Sequence, residues 1–235
     1  KPEYHYVPDY YGCKASKHID IRSVPSFGKL AKDVIEQKRT LLYYDRLYTI
    51  FQSLANLKRS QRDAEWMDLA EIGVYKGGSS YFIASVLKNM QFSKTRLHCF
   101  DTFEGHAIED ISIEGDALRK PSDFSDTEVS EVKSYLSRFE NVNVYKGRFQ
   151  DTCNQVSAYT FHFVHVDVDL YEPTRFILEF FNPRIVKKGV FIVDDYGFQT
   201  CPGVKVAVDK FVEANREYFH VHLLTGQCVL VKTTD

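Results

Sequence analysis

Four aspartates stand in two short runs, His165-Val166-Asp167-Val168-Asp169 and Val193-Asp194-Asp195. Each run follows an apolar stretch that reads as a buried strand. Open parallel sheets bind ligands outside the carboxyl ends of their strands, so carboxylates at two strand ends are placed for chemistry. If the two strands are neighbours, Asp167, Asp194 and Asp195 converge at one edge of a cleft. Clustered carboxylates repel one another unless a cation neutralises them. Oxygen-only ligands suit a hard ion, and Mg²⁺ takes a few carboxylates while keeping positions for water or substrate. Cys and His at zinc spacing are absent. Asp169, two residues beyond Asp167, points the same way if extended geometry persists, and it is the candidate general base beside the metal. The competing reading has these aspartates capping helices or pairing with Lys and Arg.

A second group is Glu71-Ile72-Gly73-Val74-Tyr75-Lys76-Gly77-Gly78-Ser79. Glycines let the backbone turn tightly and let a ligand approach without a Cβ in the way. The pattern is not G-x-G-x-x-G, since position 75 is Tyr, nor is it a P-loop. Glu71 opens the turn with a negative charge, which repels a pyrophosphate and welcomes a cationic amino-acid ligand. Asp101 closes the next strand, in Phe100-Asp101-Thr102, where a carboxylate can accept both ribose hydroxyls of a nucleoside. A glycine turn with a ribose acid and no phosphate-binding chemistry points to S-adenosylmethionine rather than a nicotinamide cofactor. Taken alone, the turn reads equally well as a plain βα connection.

These strand ends need elements to hold them. Leu47, Phe51 and Leu54, with Leu41, Tyr44 and Tyr48 beside them, recur at helical spacing between Lys29 and Leu57. After a polar break at 58–64 the chain alternates strand and helix. Trp66–Ile72 is a strand, Gly73–Ser80 the turn, Tyr81–Met90 a helix and Arg96–Phe100 a strand. The acidic segment 102–126 is too long for a plain connection and reads as a lid. Ser125 to Glu128 matches a capping box, with Val129, Val132, Leu136 and Phe139 on the inner face behind it. Strands follow at Val142–Tyr145, Phe161–Val166 and Val190–Val193, and helices at Pro173–Phe181 and Val204–Asn215. The end reads as a hairpin around Thr225-Gly226-Gln227. Repeated βαβ units predict an α/β fold: a doubly wound, mostly parallel, seven-stranded sheet with an antiparallel C-terminal hairpin and an N-terminal helical arm.

The chain has 235 residues, 44% of them hydrophobic, enough to bury a core without metal or disulfide staples. A net charge of −2 is wrong for a nucleic-acid binder, which shows a basic surplus. No apolar run approaches the roughly 18 residues that span a bilayer. Five cysteines, at 13, 99, 153, 201 and 228, make neither a disulfide framework nor a zinc site. Reduced, buried thiols suit a cytoplasmic protein. His98, His162 and His165 fall in strands and read as satisfied core histidines. Residues 1–28 read as an irregular arm. Its Tyr4, Tyr6, Tyr10 and Tyr11 fit either a partner subunit, which makes a homo-oligomer, or the mouth of the cleft. An arm and helix over 1–60 would then precede a catalytic domain over 61–235 with its lid at 102–126.

The chain resembles the macrocin O-methyltransferase family (the TylF/MycF type). The matching blocks are Asp68-Leu69-Ala70-Glu71-Ile72-Gly73-Val74-Tyr75-Lys76-Gly77-Gly78-Ser79; Phe100-Asp101-Thr102-Phe103-Glu104-Gly105; Ser122-Asp123-Phe124-Ser125; Lys146-Gly147-Arg148-Phe149-Gln150-Asp151-Thr152; His165 to Thr174; and Val193-Asp194-Asp195-Tyr196 with Cys201-Pro202-Gly203-Val204 after it. The resemblance implies a Rossmann-like class I methyltransferase fold, S-adenosylmethionine and Mg²⁺ as cofactors, and methylation of a sugar hydroxyl. It implies that Glu71 and Gly73 contact the methionine portion and Asp101 the ribose, and that Gly147 to Asp151 lie by the adenine. Tyr75, Gly77, Ser79, Thr102, Phe149 and Asp167 join that cofactor set. Asp167, Asp194 and Asp195 look like the metal ligands and Asp169 like the base. Two departures flank the cleft: His106 stands where the family has an apolar residue, and Val168 replaces the glycine of a D-G-D form.

The small-molecule acceptor stays open at this point. A catechol-type O-methyltransferase would share the cofactor site and want apolar walls, where a sugar wants polar ones. A non-catalytic binding module on the same fold would have lost a metal aspartate or Gly73, and none is lost.

Overall fold

All six residues of Met67–Ile72 (β1) and all six of Phe161–Val166 (β4) are buried, as strands covered on both faces must be. The computed structural model describes residues 20–61, 64–92, 94–112, 115–121 and 123–234; Tyr4, Tyr6, Tyr10, Tyr11, Cys13 and Ser122 lie outside them. The other strands are Thr95–Asp101 (β2), Val142–Lys146 (β3), Ile185–Val193 (β5), Tyr218–His222 (β6) and Cys228–Lys232 (β7). They form one seven-stranded sheet in the order β3-β2-β1-β4-β5-β7-β6. β3, β2, β1, β4 and β5 run parallel, and the β6–β7 hairpin is antiparallel.

Alternation along the strands sends side chains to two cores. Leu69, Leu97, Phe163 and Ile192 face one side. There they meet helices Gly28–Glu36 (α1), Tyr44–Ser60 (α2) and Gly78–Asn89 (α3), which bury Ala31, Leu47, Ile50 and Phe82. Val129–Leu136 (α4) adds Val132 and Leu136 to the same side. Ala70, Phe100, Val164 and Phe191 face the other side. They are covered by the short helix Phe149–Thr152 (α5), by Tyr171–Phe181 (α6) and by Pro202–Ala214 (α7).

Helix ends depart from the sequence reading. The single helical stretch expected over 29–57 is two helices, because Lys38 takes a left-handed φ of 55° and ends the first. α3 starts at Gly78 rather than Tyr81, since Gly77 at φ 84° already turns the chain into the helix. The capping box is not formed: Glu128 is itself the N-cap and accepts from Ser130 N. β5 begins at Ile185, five residues before Val190. Cys99, Cys153, Cys201 and Cys228 are free and buried. Among the described residues no helix is long and apolar enough to cross a membrane.

Candidate active site

Register places the chemistry in one row. Ile72 pairs with Phe100 and with Val166, and Val166 pairs with Val193. The next residues in each chain are Gly73, Asp101, Asp167 and Asp194. The sheet order reverses between β1 and β4, and a crevice at such a switch point is where open α/β sheets bind ligands. A cavity of about 300 Å³ opens there, at the lower end of small-molecule sites.

Gly73 is required by the close passage of β4. At φ +92° a Cβ would sit 1.8 Å from the carbonyl oxygen of Asp167. Beyond it the turn is tied to Asp101. One carboxylate oxygen accepts from Val74 N at 2.7 Å and Tyr75 N at 2.8 Å, and the other from Phe103 N at 2.6 Å. Burial raises the Asp101 pKa against the pull of these backbone donors. Tyr75, Ser79, Asp101 and Thr102 line the cavity, with Gly147 and Phe149 on the β3 side.

Not every expected residue reaches that wall. Glu71 is fully buried beneath α3, between the Ser80 hydroxyl and His165 Nδ1 at 2.9 Å. Strand alternation explains this: Glu71 points to the same face as Leu69, under the helix. Gly77 packs against Val132 of α4, and Asp151 is exposed on α5. Asp194 lies behind the wall, with no exposed surface.

β4 and β5 are neighbours, and carboxylate oxygens of Asp167, Asp194 and Asp195 lie within 4.8 Å of one another. Their charges are divided unequally. Asp194 Oδ1 accepts from Gln227 Nε2 at 2.7 Å, Oδ2 is held by the Arg46 guanidinium, and His165 Nε2 stands 3.7 Å away. Burial works to raise the Asp194 pKa, but His165 and Arg46 outweigh it and hold it low. For His165, burial opposes the charged ring, yet Asp194 and Glu71 lift its pKa to about 10. Burial and the Asp194 charge push Asp167 up to about 8. Asp195 is raised well above the carboxylate range by burial and by Asp167, Asp169 and Asp194. Asp195 Oδ2 is buried with no hydrogen-bond partner among the described residues. An oxygen-only set with an orphaned carboxylate oxygen fits a hard divalent cation.

Asp169 reaches the same cavity by another route than strand alternation. β4 has ended, and a left-handed φ of 62° turns Asp169 inward. Its Oδ1 accepts from Arg119 Nη2 at 2.7 Å and from the Cys201 thiol at 3.2 Å. Burial and the nearby Asp195 and Asp169 charges push the Cys201 pKa to about 12, so it remains a donor. Oδ2 lies 3.7 Å from His106 Nε2. His106 Nε2 and Arg119 Nε are buried without partners among the described residues. His106, Asp110, Arg119 and Phe124, described residues of the 102–126 segment, line the cavity.

Arg46, Arg119 and Gln227 were missed by sequence reasoning. Each is an ordinary polar residue in its own segment, and only the fold delivers it to a carboxylate. His106 alone carried a signal, as a polar residue at a position where the resemblance implies an apolar one.

Across 144 residues the chain is 28% identical to the 8-demethyl-8-(2,3-dimethoxy-alpha-L-rhamnosyl)-tetracenomycin-C 4'-O-methyltransferase of Streptomyces olivaceus, covering 57% of this chain and 54% of that protein. It is 29% identical over 154 residues to the demethyldecarbamoylnovobiocin O-methyltransferase of Streptomyces niveus, covering 61% and 57%. The chain thus spans little more than half the length of these curated relatives. The structure of the O-methyltransferase NovP superposes with a TM-score of 0.71 at 24% identity, over 83% of this chain and 82% of that one, a likeness of fold. The macrocin-O-methyltransferase (TylF) family profile matches residues 24–231; that span takes in the whole row of strand ends, and the chain belongs to this family.

Proposed function

We propose that the chain is an S-adenosylmethionine- and Mg²⁺-dependent O-methyltransferase for a hydroxyl of a sugar or glycosylated small molecule. One observation carries the reading. A glycine turn tied to Asp101 and the carboxylates Asp167, Asp169 and Asp195 face one cavity at the switch point of the sheet, with Asp194 close behind. When bound, the sulfonium would supply an electrophilic methyl and the cation would favour the ionised form of an acceptor hydroxyl.

The residues divide the remaining work. Gly73, Asp101, Gly147 and Phe149 shape the nucleoside side, and Asp167, Asp194 and Asp195 would hold the cation. Asp169 takes the acceptor proton at Oδ2, because Oδ1 already accepts from Arg119 and Cys201. His106 Nε2 and Arg119 Nε are two buried polar atoms beside it with no hydrogen-bond partner among the described residues. A catechol has one hydroxyl besides the reacting one and would leave at least one of the two unsatisfied, at a cost of about 1–3 kcal/mol. A polyhydroxylated acceptor satisfies them, which favours the sugar over the catechol reading. The 102–126 segment would act as the lid that keeps water from the reacting atoms.

Calorimetric titration with S-adenosylhomocysteine, in Mg²⁺ and again in EDTA, tests the proposal. Micromolar or tighter binding in both buffers is expected, with the cation serving the acceptor side. Folded protein that binds in neither buffer is not a methyltransferase.

A further inference from the structure

We propose that Arg46 is the resident counter-ion of the carboxylate cluster, and that its guanidinium and a divalent cation compete for Asp194. The inference rests on the metal part of the reading above.

Arg46 lies in the first turn of α2, whose next residues Leu47 and Ile50 are locked in the core. Its side chain is 17% exposed and that of Asp194 fully buried. One nitrogen, Nη1, contacts Asp194 Oδ2, while Nη2 donates to the Leu41 carbonyl at 2.7 Å. The guanidinium carbon lies 5.4 Å from the centre of the Phe198 ring. Burial opposes the charge on the guanidinium, and Asp194, Asp167 and Asp195 outweigh it. Those are the three carboxylates that form the candidate metal set.

The two oxygens of Asp194 are not equally available. Oδ1 is fixed by Gln227, which is completely buried in the hairpin turn. Oδ2 faces only Arg46 among the described hydrogen-bond donors. Oδ1 also stands 3.7 Å from His165 Nε2, so Oδ2 is the oxygen with fewer neighbours for a cation to take, and two positive charges on one oxygen repel strongly in a buried setting. Arg46 is the partner with somewhere to go. Its other contacts, Leu41 and Phe198, are 55% and 37% exposed at the mouth of the cavity. Cation entry displaces the guanidinium from Oδ2 toward that mouth. The arrangement keeps the cluster folded before the metal arrives and weakens its grip on the metal.

The test is calorimetric titration of Mg²⁺ alone into wild type, Arg46→Gln and Arg46→Lys, each checked for folding by circular dichroism. Arg46→Gln should bind Mg²⁺ about tenfold tighter or more. Arg46→Lys, which keeps the charge, should stay near wild type. A second measurement needs no variant. The Arg46 Nε–Hε resonance of the wild-type protein should shift when Mg²⁺ saturates the site. Unchanged or weaker binding by Arg46→Gln, or a resonance that does not move, overturns the proposal. Wild type that binds S-adenosylhomocysteine, with no Mg²⁺ binding by either wild type or Arg46→Gln, overturns it together with the metal reading, and leaves the methyltransferase reading standing. Failure to bind S-adenosylhomocysteine with tighter Mg²⁺ binding by Arg46→Gln does the reverse.

Discussion

Asp169 presents its two carboxylate oxygens to different neighbours. Oδ1 faces Arg119 and Cys201, and Oδ2 faces His106 across 3.7 Å. A general base needs one oxygen free for the incoming proton and the other held, so that the carboxylate does not rotate away. Asp169→Asn keeps the shape and the donors around it but cannot take a proton. It should lower kcat by about 10²–10⁴-fold while S-adenosylhomocysteine affinity stays at the wild-type value. Turnover of sugar and glycosylated small-molecule acceptors, measured beside calorimetry, checks this; full turnover removes Asp169 from the chemistry. Asp167 and Asp194 were legible because each follows directly on an apolar strand, with Asp169 and Asp195 close behind them. Their partners were not. Arg46 stands 148 residues from Asp194, Arg119 stands 50 from Asp169, and Gln227 stands 33 from Asp194. No local pattern marks a residue whose role is made by tertiary contact.

Strands and helices differ in how far the sequence determined them. β4 matches its expected bounds because its apolar run ends where the sheet ends. The capping box at Ser125 failed for a reason outside the helix. Tyr75 OH donates to Asp126 at 2.8 Å, and Thr127 Oγ1 donates to the Tyr75 carbonyl at 2.8 Å. These bonds tie 126–127 to the glycine turn, so the helix can begin only afterwards, with Glu128 as cap. At the opposite end of the sheet, Asp68 of β1 clamps β2. It accepts from Arg96 at 2.7 and 2.8 Å and contacts His98 Nε2 at 2.8 Å. Burial would raise its pKa, but His98 and Arg96 outweigh burial and hold it below the ordinary value. The folded form therefore releases its proton more readily than the unfolded chain. The contribution is fully present above the unfolded value of about 4 and is lost as pH falls through the folded one. Asp68→Asn should cost about 1–3 kcal/mol at pH 7, given that Arg96 is partly exposed. The variant should also flatten the fall in stability below that pH. Urea unfolding from pH 3 to 7 reads both effects, and parallel profiles for the two proteins would rule the clamp out.

At the scale of the whole molecule, the doubly wound sheet was legible from alternation and apolar runs. The switch point then fixed the cleft, since the order reverses between β1 and β4. What the sequence did not reveal is how the N-terminal helices relate to the rest. The expectation is an arm and helix over 1–60 before a domain over 61–235, and we propose that the described helices of the first part and the sheet unfold as one cooperative unit. Phe27, just before α1, is completely buried. Its ring lies 4.9 Å from Tyr48 and 5.4 Å from Phe51 of α2, and 5.9 Å from Phe82 of α3. Those helices share one core with Leu69 and Leu97 of the sheet, so the first described helices cannot leave without exposing one face of β1 and β2, the strands that lead to Gly73 and Asp101. Phe27→Ala should destabilise the protein by about 3–5 kcal/mol. Its thermal unfolding should remain one transition, displaced downward, with calorimetric and van't Hoff enthalpies equal. S-adenosylhomocysteine should raise the midpoint of wild type and variant alike, because ligand binding to the folded form stabilises the whole unit. Two transitions, with only the lower one sensitive to Phe27→Ala and only the upper one raised by ligand, would separate the N-terminal helices from the domain.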